Sequence, residues 1–220
     1  MNVRRTVSLA LVGAALAVTV AVPAASASEP KTIASVLDDG SGFDSNWYDF
    51  DILDTAVNAV IANKPGTPLL AAADPETAFT VFAPNDRAFQ VLVASLTGKW
   101  YGTEAGVTDA LIAALGGGDT AKAIDTIETV VLYHIVPVGK VPFAVAKSLS
   151  GQSVPTALGG SYTINIRYYS WINTLSLGDK DPNAANPWVV NSKRDIDAGN
   201  SIIHGIALVL RPLDLPPTAR

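Results

Sequence analysis

The sequence predicts an α+β fold, with helices in the first half of the chain and short strands in the second. Up to about residue 132, apolar residues recur at the three- and four-residue spacing of helices that bury one face. From His134 onward the pattern changes to short extended pieces separated by Pro and Gly. Helices that come before the strands, instead of alternating with them, are typical of α+β domains.

The first folded element begins near Lys31, where the sequence KTIASVLDD is short and places its apolar residues on one side. Residues 39–49, DGSGFDSNWYD, are expected to form a loop because Asp, Ser and Gly favour turns. A core-facing helix follows and ends at the Pro65-Gly66 pair. Its apolar residues at helical spacing are Phe50, Leu53, Val57, Val60 and Ile61.

A strand-to-helix junction is expected next. The sequence FTVF at residues 79–82 is apolar and β-branched, as strands prefer. Pro84 suits the first turn of a helix, and Asp86 suits the positive end of the helix dipole. The helix itself has one apolar stripe, formed by Phe89, Leu92, Val93 and Leu96.

Two further helices are expected after a loop with the sequence GKWYGTEAG. They cover residues 107–115 and 121–132, and Asp119 or Thr120 caps the second of them. The three glycines at residues 116–118 separate the helices. Because no Gly-Lys-Ser/Thr sequence follows them, they are interpreted as a helix stop and not as a phosphate-binding loop.

The second half of the chain is expected to be mainly β. Tyr162, Ile164, Ile166 and Tyr168 alternate with polar residues, which is the period of a strand with one buried face. The extended pieces have the sequences HIVPVG, KVPFAVA, SVPTAL, SYTINIRY, NPWVVNS and NSIIHGIALVL.

Residues 1–27 have the pattern of a secretory signal peptide. Arg4 and Arg5 precede an apolar stretch from Thr6 to Val22, and Ala25-Ser26-Ala27 offers small residues for cleavage. Retention of this segment as a membrane anchor is the alternative, although its 17 residues are fewer than the roughly 20 that a span prefers. The expected localisation is therefore secreted or at the cell surface.

The remaining residues, 28–220, are expected to form one domain that depends on its hydrophobic core. The sequence has no Cys, so it has no disulfide framework. Without residues 1–27 the chain carries 13 basic and 20 acidic residues, a net charge of −7, and it has no Lys/Arg block. This charge argues against nucleic acid as a partner.

Three separated segments resemble the fasciclin domain family. They are TVFAPNDRAF at residues 80–89, LYHIVPVG at residues 132–139 and NSIIHGIALVLRP at residues 200–212. The resemblance implies a β-sandwich or wedge-shaped core flanked by several helices, in a non-enzymatic module of extracellular adhesion and matrix-associated proteins. The residues that it marks as structural are Thr80, Phe82, Pro84, Asn85, Asp86, Asn200 and His204.

The chain departs from the family pattern in two respects. Ala207 stands where the family usually has Asp, and the chain is expanded at residues 98–107 and 168–187. For Tyr133 and His134, the resemblance suggests a motif that contacts a receptor. The alternative is a helix-to-strand junction in which both side chains are packed for stability.

Neither histidine is expected to hold a metal. His134 and His204 are the only histidines, and a zinc site needs further ligands beside them. His204 would lie among aliphatic residues of a strand, so its ring needs a hydrogen-bond partner. The acidic residues of the early loop do not match the twelve-residue calcium loop and are interpreted as solvated turn and helix-start residues: Asp38, Asp39, Asp44, Asp49, Asp51 and Asp54.

Aromatic residues in expected loops and strand ends are the candidate binding residues. Aromatic side chains with a polar tip are favoured at half-wet binding surfaces, and all four Trp fall in such places. The alternative is that they close the ends of a small core. The candidates are Trp100, Tyr101, Tyr168, Tyr169 and Trp171, with Trp47, Tyr48 and Trp188 in similar positions.

The sequence therefore predicts an extracellular adhesion or binding module without a cofactor, whose partner is a protein or a glycan. The alternative is a secreted carrier in which loop aromatics line a pocket for a hydrophobic small molecule. A hydrolase is the least supported function, since no Gly-x-Ser-x-Gly sequence follows an expected strand.

Overall fold

The structure, a computed structural model, describes residues 30–213. Its helices are α1 (Ile33–Leu37), α2 (Asp51–Asn63), α3 (Asp86–Thr97), α4 (Glu104–Gly116), α5 (Thr120–Tyr133) and α6 (Phe143–Ala146). Its strands are β1 (Thr80–Pro84), β2 (Ile135–Val136), β3 (Ser153–Pro155), β4 (Thr163–Tyr169), β5 (Thr174–Gly178), β6 (Ile196–Ala198) and β7 (Ser201–Ile206). Short 3-10 helices cover Pro68–Ala73, Lys147–Leu149 and Asn191–Lys193.

The larger sheet has four strands in the order β2-β1-β7-β6. The two central strands, β1 and β7, run parallel and place Phe82 opposite His204. The outer pairs, β1 with β2 and β7 with β6, are antiparallel. Every residue of β1 and β7 is buried, as expected for strands that are covered on both faces.

The smaller sheet has three antiparallel strands in the order β3-β4-β5. The segment 187–190 joins it to the larger sheet, because Val189 bridges Ile206 of β7 while its amide donates to Leu175 of β5 at 2.9 Å. In β4, Ile164 and Ile166 are buried and Asn165 and Arg167 are exposed. One face of the smaller sheet therefore faces solvent.

Two apolar cores lie on opposite faces of the four-stranded sheet. Val81 and Ala83 of β1 pack with helices α1 to α5, while Phe82 lies on the other face with the buried residues of the three-stranded sheet. The architecture is a helical layer, a mixed sheet and a small antiparallel sheet. The α+β class and the sandwich-like core flanked by helices, as predicted from the sequence, are confirmed.

Several elements differ from the sequence expectation. The sequence KVPFAVA was expected to be extended, but residues 143–146 form α6, because Pro142 has a φ of −60° and the Asp195 carboxylate accepts from the Phe143 amide at 2.7 Å. The sequence NPWVVNS forms isolated bridges and no strand, whereas β5 lies within an expected insertion. Helix α4 begins at Glu104, since Thr103 caps it by accepting from the Gly106 amide at 3.2 Å.

The expected signal peptide, residues 1–27, lies outside the described residues. Within residues 30–213, none of the helices combines the length and the apolar character needed to cross a membrane.

Candidate functional site

The junction between β1 and α3 is held by side-chain hydrogen bonds from the first motif. Thr80 donates to the Gly139 carbonyl at 2.6 Å and accepts from the Val141 amide at 2.9 Å, which fixes the loop after β2. After Pro84 ends β1, Asn85 caps α3 by accepting from the Ala88 amide at 3.0 Å.

Asp86 connects the starts of two helices. Its carboxylate accepts from the Ile52 amide at 2.8 Å, in the first turn of α2, although Asp86 itself is the first residue of α3. Its own amide donates to the Asp49 carbonyl at 3.2 Å. The side chain is completely buried, so Asp86 fixes the loop before α2 against the start of α3.

An acidic pocket lies beside this connection. We use this name for Asp44, Asp49, Asp51 and Glu104, each of which offers one carboxylate oxygen to a group whose members all lie within 4.8 Å of one another. Asp44 is exposed, and the other three side chains are buried. Glu104 arrives from the start of α4 and accepts from the Asp44 amide at 2.7 Å.

Burial and mutual repulsion make Asp51, Glu104 and the neighbouring Asp86 hard to ionise. Loss of solvation, together with the nearby charge of Asp49, raises the pKa of Asp51 to about 6. Burial, followed by a contact with the Asp49 carboxyl, raises the pKa of Asp86 to about 8. Burial also raises the pKa of Glu104.

The sequence interpretation of the early acidic residues as solvated holds for Asp38, Asp39 and Asp44, which are exposed. Asp51 and Asp54 are helix-start residues as expected, since both lie in the first turn of α2. Asp49 and Asp51 are nevertheless buried and not solvated. Glu104 was not singled out, since it is 60 residues from Asp44 and belongs to a stretch that was read as a loop.

Both histidines are buried, and both use their two ring nitrogens within the protein. In His134, Nδ1 donates to the Val130 carbonyl at 2.7 Å and Nε2 accepts from the Leu210 amide at 2.9 Å. In His204, Nε2 donates to the Val141 carbonyl at 3.0 Å and Nδ1 accepts from the Asp195 amide at 3.2 Å. Each accepting contact fixes a neutral tautomer, so neither ring has a nitrogen left for a metal or a substrate.

Tyr133 is buried with its phenol in the core between the sheets. The hydroxyl donates to the Thr163 carbonyl at 2.8 Å, and the ring packs edge-on against Tyr162. Loss of solvation raises the pKa of the hydroxyl. Tyr133 and His134 therefore present no side-chain atoms at the surface, and the structure places them in a packed helix-to-strand junction.

The remaining structural residues of the motifs lie in the larger sheet and its turns. Phe82 is buried and stacks on His204, with 5.8 Å between the ring centroids. Asn200, in the turn between β6 and β7, donates to the Pro75 carbonyl at 2.9 Å. The Phe82–His204 contact thus joins β1 to β7, and the Asn200 contact joins the turn before β7 to the segment before β1.

Exposed aromatic residues occur at two separate places. The first comprises the loops around the acidic pocket, where Trp100 is 55% exposed and Tyr48 is 63% exposed. The Arg87 guanidinium lies 4.7 Å from the centre of the Trp100 ring. Tyr101 is half-buried against the helical core, and its carbonyl accepts from Gln90 at 2.6 Å.

The second place is the tip of the β4–β5 hairpin. We call it the hairpin surface, formed by Tyr169, Trp171, Ile172 and Trp188. Trp171 is 80% exposed, the highest value among the exposed large apolar residues, and Ile172 and Trp188 are each more than two-fifths exposed. Tyr168 faces the opposite side of β4, where its hydroxyl donates to Asn173 at 3.0 Å.

A polar groove of about 480 Å³ runs along the solvent face of the same hairpin. Asn165, Arg167 and Tyr169 of β4 line it together with Ser176 of β5 and residues 179–186. Within that last segment, Asp181 is buried and accepts from Arg211 at 3.1 Å. The half-buried Tyr169 thus belongs to both the groove and the hairpin surface, and the exposed Trp171 follows it by two residues.

Comparisons with known proteins agree with this fold. The sequence model of the Fasciclin domain matches residues 53–212. Among solved structures, a FAS1 domain pair from the insect cell adhesion molecule fasciclin I is similar, with a TM-score of 0.54 and 15% identity over 83% of this chain and 51% of that one. The present chain thus spans about half of that structure, and the likeness concerns the fold alone. No curated protein sequence matches.

Proposed function

The chain belongs to the fasciclin domain family, and from that premise we propose that it is an extracellular adhesion module that binds a protein or glycan without catalysing a reaction. Domains of this family are typically adhesion or binding modules. Export is proposed from the signal-like residues 1–27, and residues 28–220 are proposed to act as one domain.

The observation that carries the binding proposal is the exposure of Trp171 beside the polar groove. A large aromatic ring in water loses apolar hydration when a partner covers it, so exposed Trp and Tyr residues often supply most of the energy of an interface. The groove adds amide, guanidinium and hydroxyl groups that hydrogen-bond to a polar ligand. Ring stacking combined with such hydrogen bonds suits a glycan or a polar stretch of protein.

The carrier alternative has less support. The two apolar cavities between the helices and the larger sheet have volumes of about 20 Å³ each, which is room for about one water molecule. Small-molecule sites typically measure about 300 to 1,000 Å³. A third cavity, lined mainly by apolar residues of α3 and of segments 184–185 and 208–209, measures about 300 Å³ and so reaches only the lower end of that range. A hydrolase that used a histidine base is also disfavoured, because both imidazoles already use both nitrogens in hydrogen bonds to the backbone.

The test measures retention of the purified chain on immobilised extracellular matrix polymers and on cell-wall glycans. We expect Trp171→Ala to weaken retention at least about tenfold, since truncation of an aromatic hot-spot residue typically costs about 2 kcal/mol or more. Leu70→Ala is the matched control, because Leu70 is 46% exposed on the separate 3-10 helix. Trp100→Ala tests whether the exposed aromatic residues around the acidic pocket contribute to retention.

Thermal unfolding of each variant shows whether a loss of retention reflects binding or folding. Trp171→Ala is expected to unfold at the wild-type temperature because its ring is mostly in solvent. Wild-type retention by a Trp171→Ala/Tyr169→Ala double variant would rule out the hairpin surface. A purified protein that carries a pigment or lipid would favour the carrier.

A further inference from the structure

We propose that the acidic pocket is a calcium site in which Asp44, Asp49, Asp51 and Glu104 coordinate one ion. This inference goes beyond the adhesion function and does not depend on it. The ligands come from the loop before α2, from the first residue of α2 and from the first residue of α4. A bound ion would therefore connect three segments of the chain.

The spacing of the oxygens fits a calcium ion. One oxygen from each residue can be chosen so that no two are more than 4.8 Å apart. Calcium binds oxygen at about 2.3 to 2.6 Å, so ligands on opposite sides of the ion are separated by about 4.6 to 5.2 Å. The four carboxylates are therefore close enough together to bind one calcium ion.

Buried oxygen atoms without partners point to a missing positive charge. Asp49, Asp51 and Glu104 are 7%, 5% and 1% exposed, and Asp49 Oδ1, Asp51 Oδ2 and Glu104 Oε1 receive no hydrogen bond from an amide or hydroxyl group. The same is true of Oδ2 of the neighbouring Asp86, whose carboxyl contacts that of Asp49. Leaving a buried polar group unpaired costs about 1 to 3 kcal/mol, and more for a charged group. Three such groups in one pocket are accounted for by a cation that all three bind.

No basic side chain in residues 30–213 supplies that charge through an ion pair with the pocket. The ion pairs of this region involve other carboxylates, those of Asp125, Glu128, Asp181 and Asp197. The nearby Arg87 donates to Gln90 at 2.6 Å and lies over Trp100. The negative charge of the pocket is thus not neutralised by a basic side chain of the described chain.

The ligand set favours calcium over other common ions. All four donors are carboxylate oxygens, whereas zinc sites usually include nitrogen or sulfur ligands. Magnesium needs shorter bonds of about 2.0 to 2.1 Å in a near-ideal octahedron and keeps several waters. Calcium accepts six to eight oxygens in flexible geometry, so bidentate carboxylates and water complete its shell.

The experiment titrates calcium chloride into the purified, EDTA-treated chain and follows the heat of binding and the unfolding temperature. We expect one site with a dissociation constant of about 1 mM or tighter, the range of extracellular calcium modules. At a hundredfold excess over that constant, the unfolding temperature should rise by about 5 °C or more. Magnesium should give a much smaller shift.

Glu104→Gln and Asp49→Asn are the test variants, and Asp109→Asn is the matched control. Asp109 lies on α4, as Glu104 does, but its side chain is exposed. We expect each test variant to bind calcium at least tenfold more weakly, while the control keeps wild-type affinity. In EDTA, Glu104→Gln should unfold at or above the wild-type temperature, since a neutral amide relieves repulsion in the pocket. This readout separates loss of the site from loss of the fold.

Two results would overturn the proposal of a metal site, and a third would overturn its assignment to calcium. One is a wild-type chain that shows neither binding heat nor a shift in unfolding temperature up to 10 mM calcium, which is about tenfold above the weakest expected constant. The other is an equal response of Glu104→Gln and Asp109→Asn, which would indicate diffuse screening of surface charge. Equal shifts with magnesium would refute the assignment to calcium. Retention on matrix polymers is measured separately, so either proposal can fail alone.

Discussion

At the scale of single residues, the two buried histidines act as neutral connectors. His134 joins the end of α5 to the segment after β7 through the Val130 carbonyl and the Leu210 amide. Burial lowers the pKa of His134 to about 4 from an ordinary value of 6.5, and burial also lowers the pKa of His204. Both rings must therefore stay unprotonated for the native contacts to persist.

This requirement predicts that the histidines lose stabilising power in acid. Between pH 6.5 and pH 4 the unfolded chain binds a proton at His134 and the native chain does not. The contribution of neutral His134 to the free energy of unfolding is therefore complete above pH 6.5 and is lost as the pH falls. It amounts to about 3 kcal/mol for a shift of this size. About 2 kcal/mol of it is lost between pH 7 and pH 5, and the free energy of unfolding in urea at these two pH values measures that loss.

Asp51 of the acidic pocket and the neighbouring Asp86 titrate with the opposite sign, because their raised pKa values make the native chain bind protons more readily than the unfolded chain. The measurement is therefore a difference between wild type and His134→Gln, in which the carboxyls cancel. The variant should lose less stability than wild type between pH 7 and pH 5. An identical loss in both proteins would contradict the prediction.

The sequence was informative about residues whose function is local. The need of a strand-borne His204 for a hydrogen-bond partner follows from simple alternation along the strand. The expectation that Pro84 lies in the first turn of the helix was wrong, because Pro84 is the last residue of β1 and Asn85 caps α3. Glu104 could not be found in this way. Its partners, Asp44 and the start of α2, reach it only through the packing of α4 against the rest of the helical layer.

At the scale of elements, the turn between β6 and β7 depends on a glycine. Gly199 has a φ of +69°, in the left-handed region, and a Cβ atom built on it would lie 2.3 Å from the Lys31 carbonyl oxygen. Both facts exclude a side chain without movement of the backbone. The same turn positions Asn200 and leads directly into the central strand β7.

We therefore expect Gly199→Ala to destabilise the protein by more than about 1 kcal/mol, since an incompatible φ costs more than the entropy that alanine saves. Urea unfolding at pH 7 measures the change. Gly66→Ala is the matched control, because Gly66 has no positive φ and open space around it. If the two variants were equally stable, the close approach to Lys31 would not be a constraint.

Helices with a full apolar stripe were predictable from the sequence, whereas short elements were not. The stripe of α3 and the helix stop after α4 appear at the expected places. Helix α6 has four residues, which is too few for a period, and the carboxylate that supports it comes from Asp195, more than 50 residues away. Long-range contacts of this kind leave no local signal.

At the scale of the whole molecule, one sheet is shared by both apolar cores. Val81 faces the helices while its neighbour Phe82 faces the three-stranded sheet. Because one strand contributes to both cores, damage on either face should weaken the same structure. The sequence indicated the class and the sandwich-like core through the family motifs, but local periodicity does not specify which strands pair.

Phe82→Ala should therefore lower the free energy of unfolding of residues 30–213 as a whole. The expected loss is about 3 to 5 kcal/mol, the usual cost of truncating a buried Phe to Ala. Circular dichroism reports mainly on the helices and tryptophan fluorescence on the loops and the hairpin. We expect one coincident transition by both probes. Two separate transitions would show that the two cores unfold independently.

The parallel pairing of β1 with β7 sets the order of events when the chain is made. Thr80 pairs with Ile202, 122 positions further along, and these two strands form the centre of their sheet. During synthesis the helices can form early, but β1 has no central neighbour until residue 206 has emerged. Contacts of such long range make folding slow. A nascent chain of this kind must remain unfinished, with an open strand edge in need of chaperone protection, until its last strand is translated.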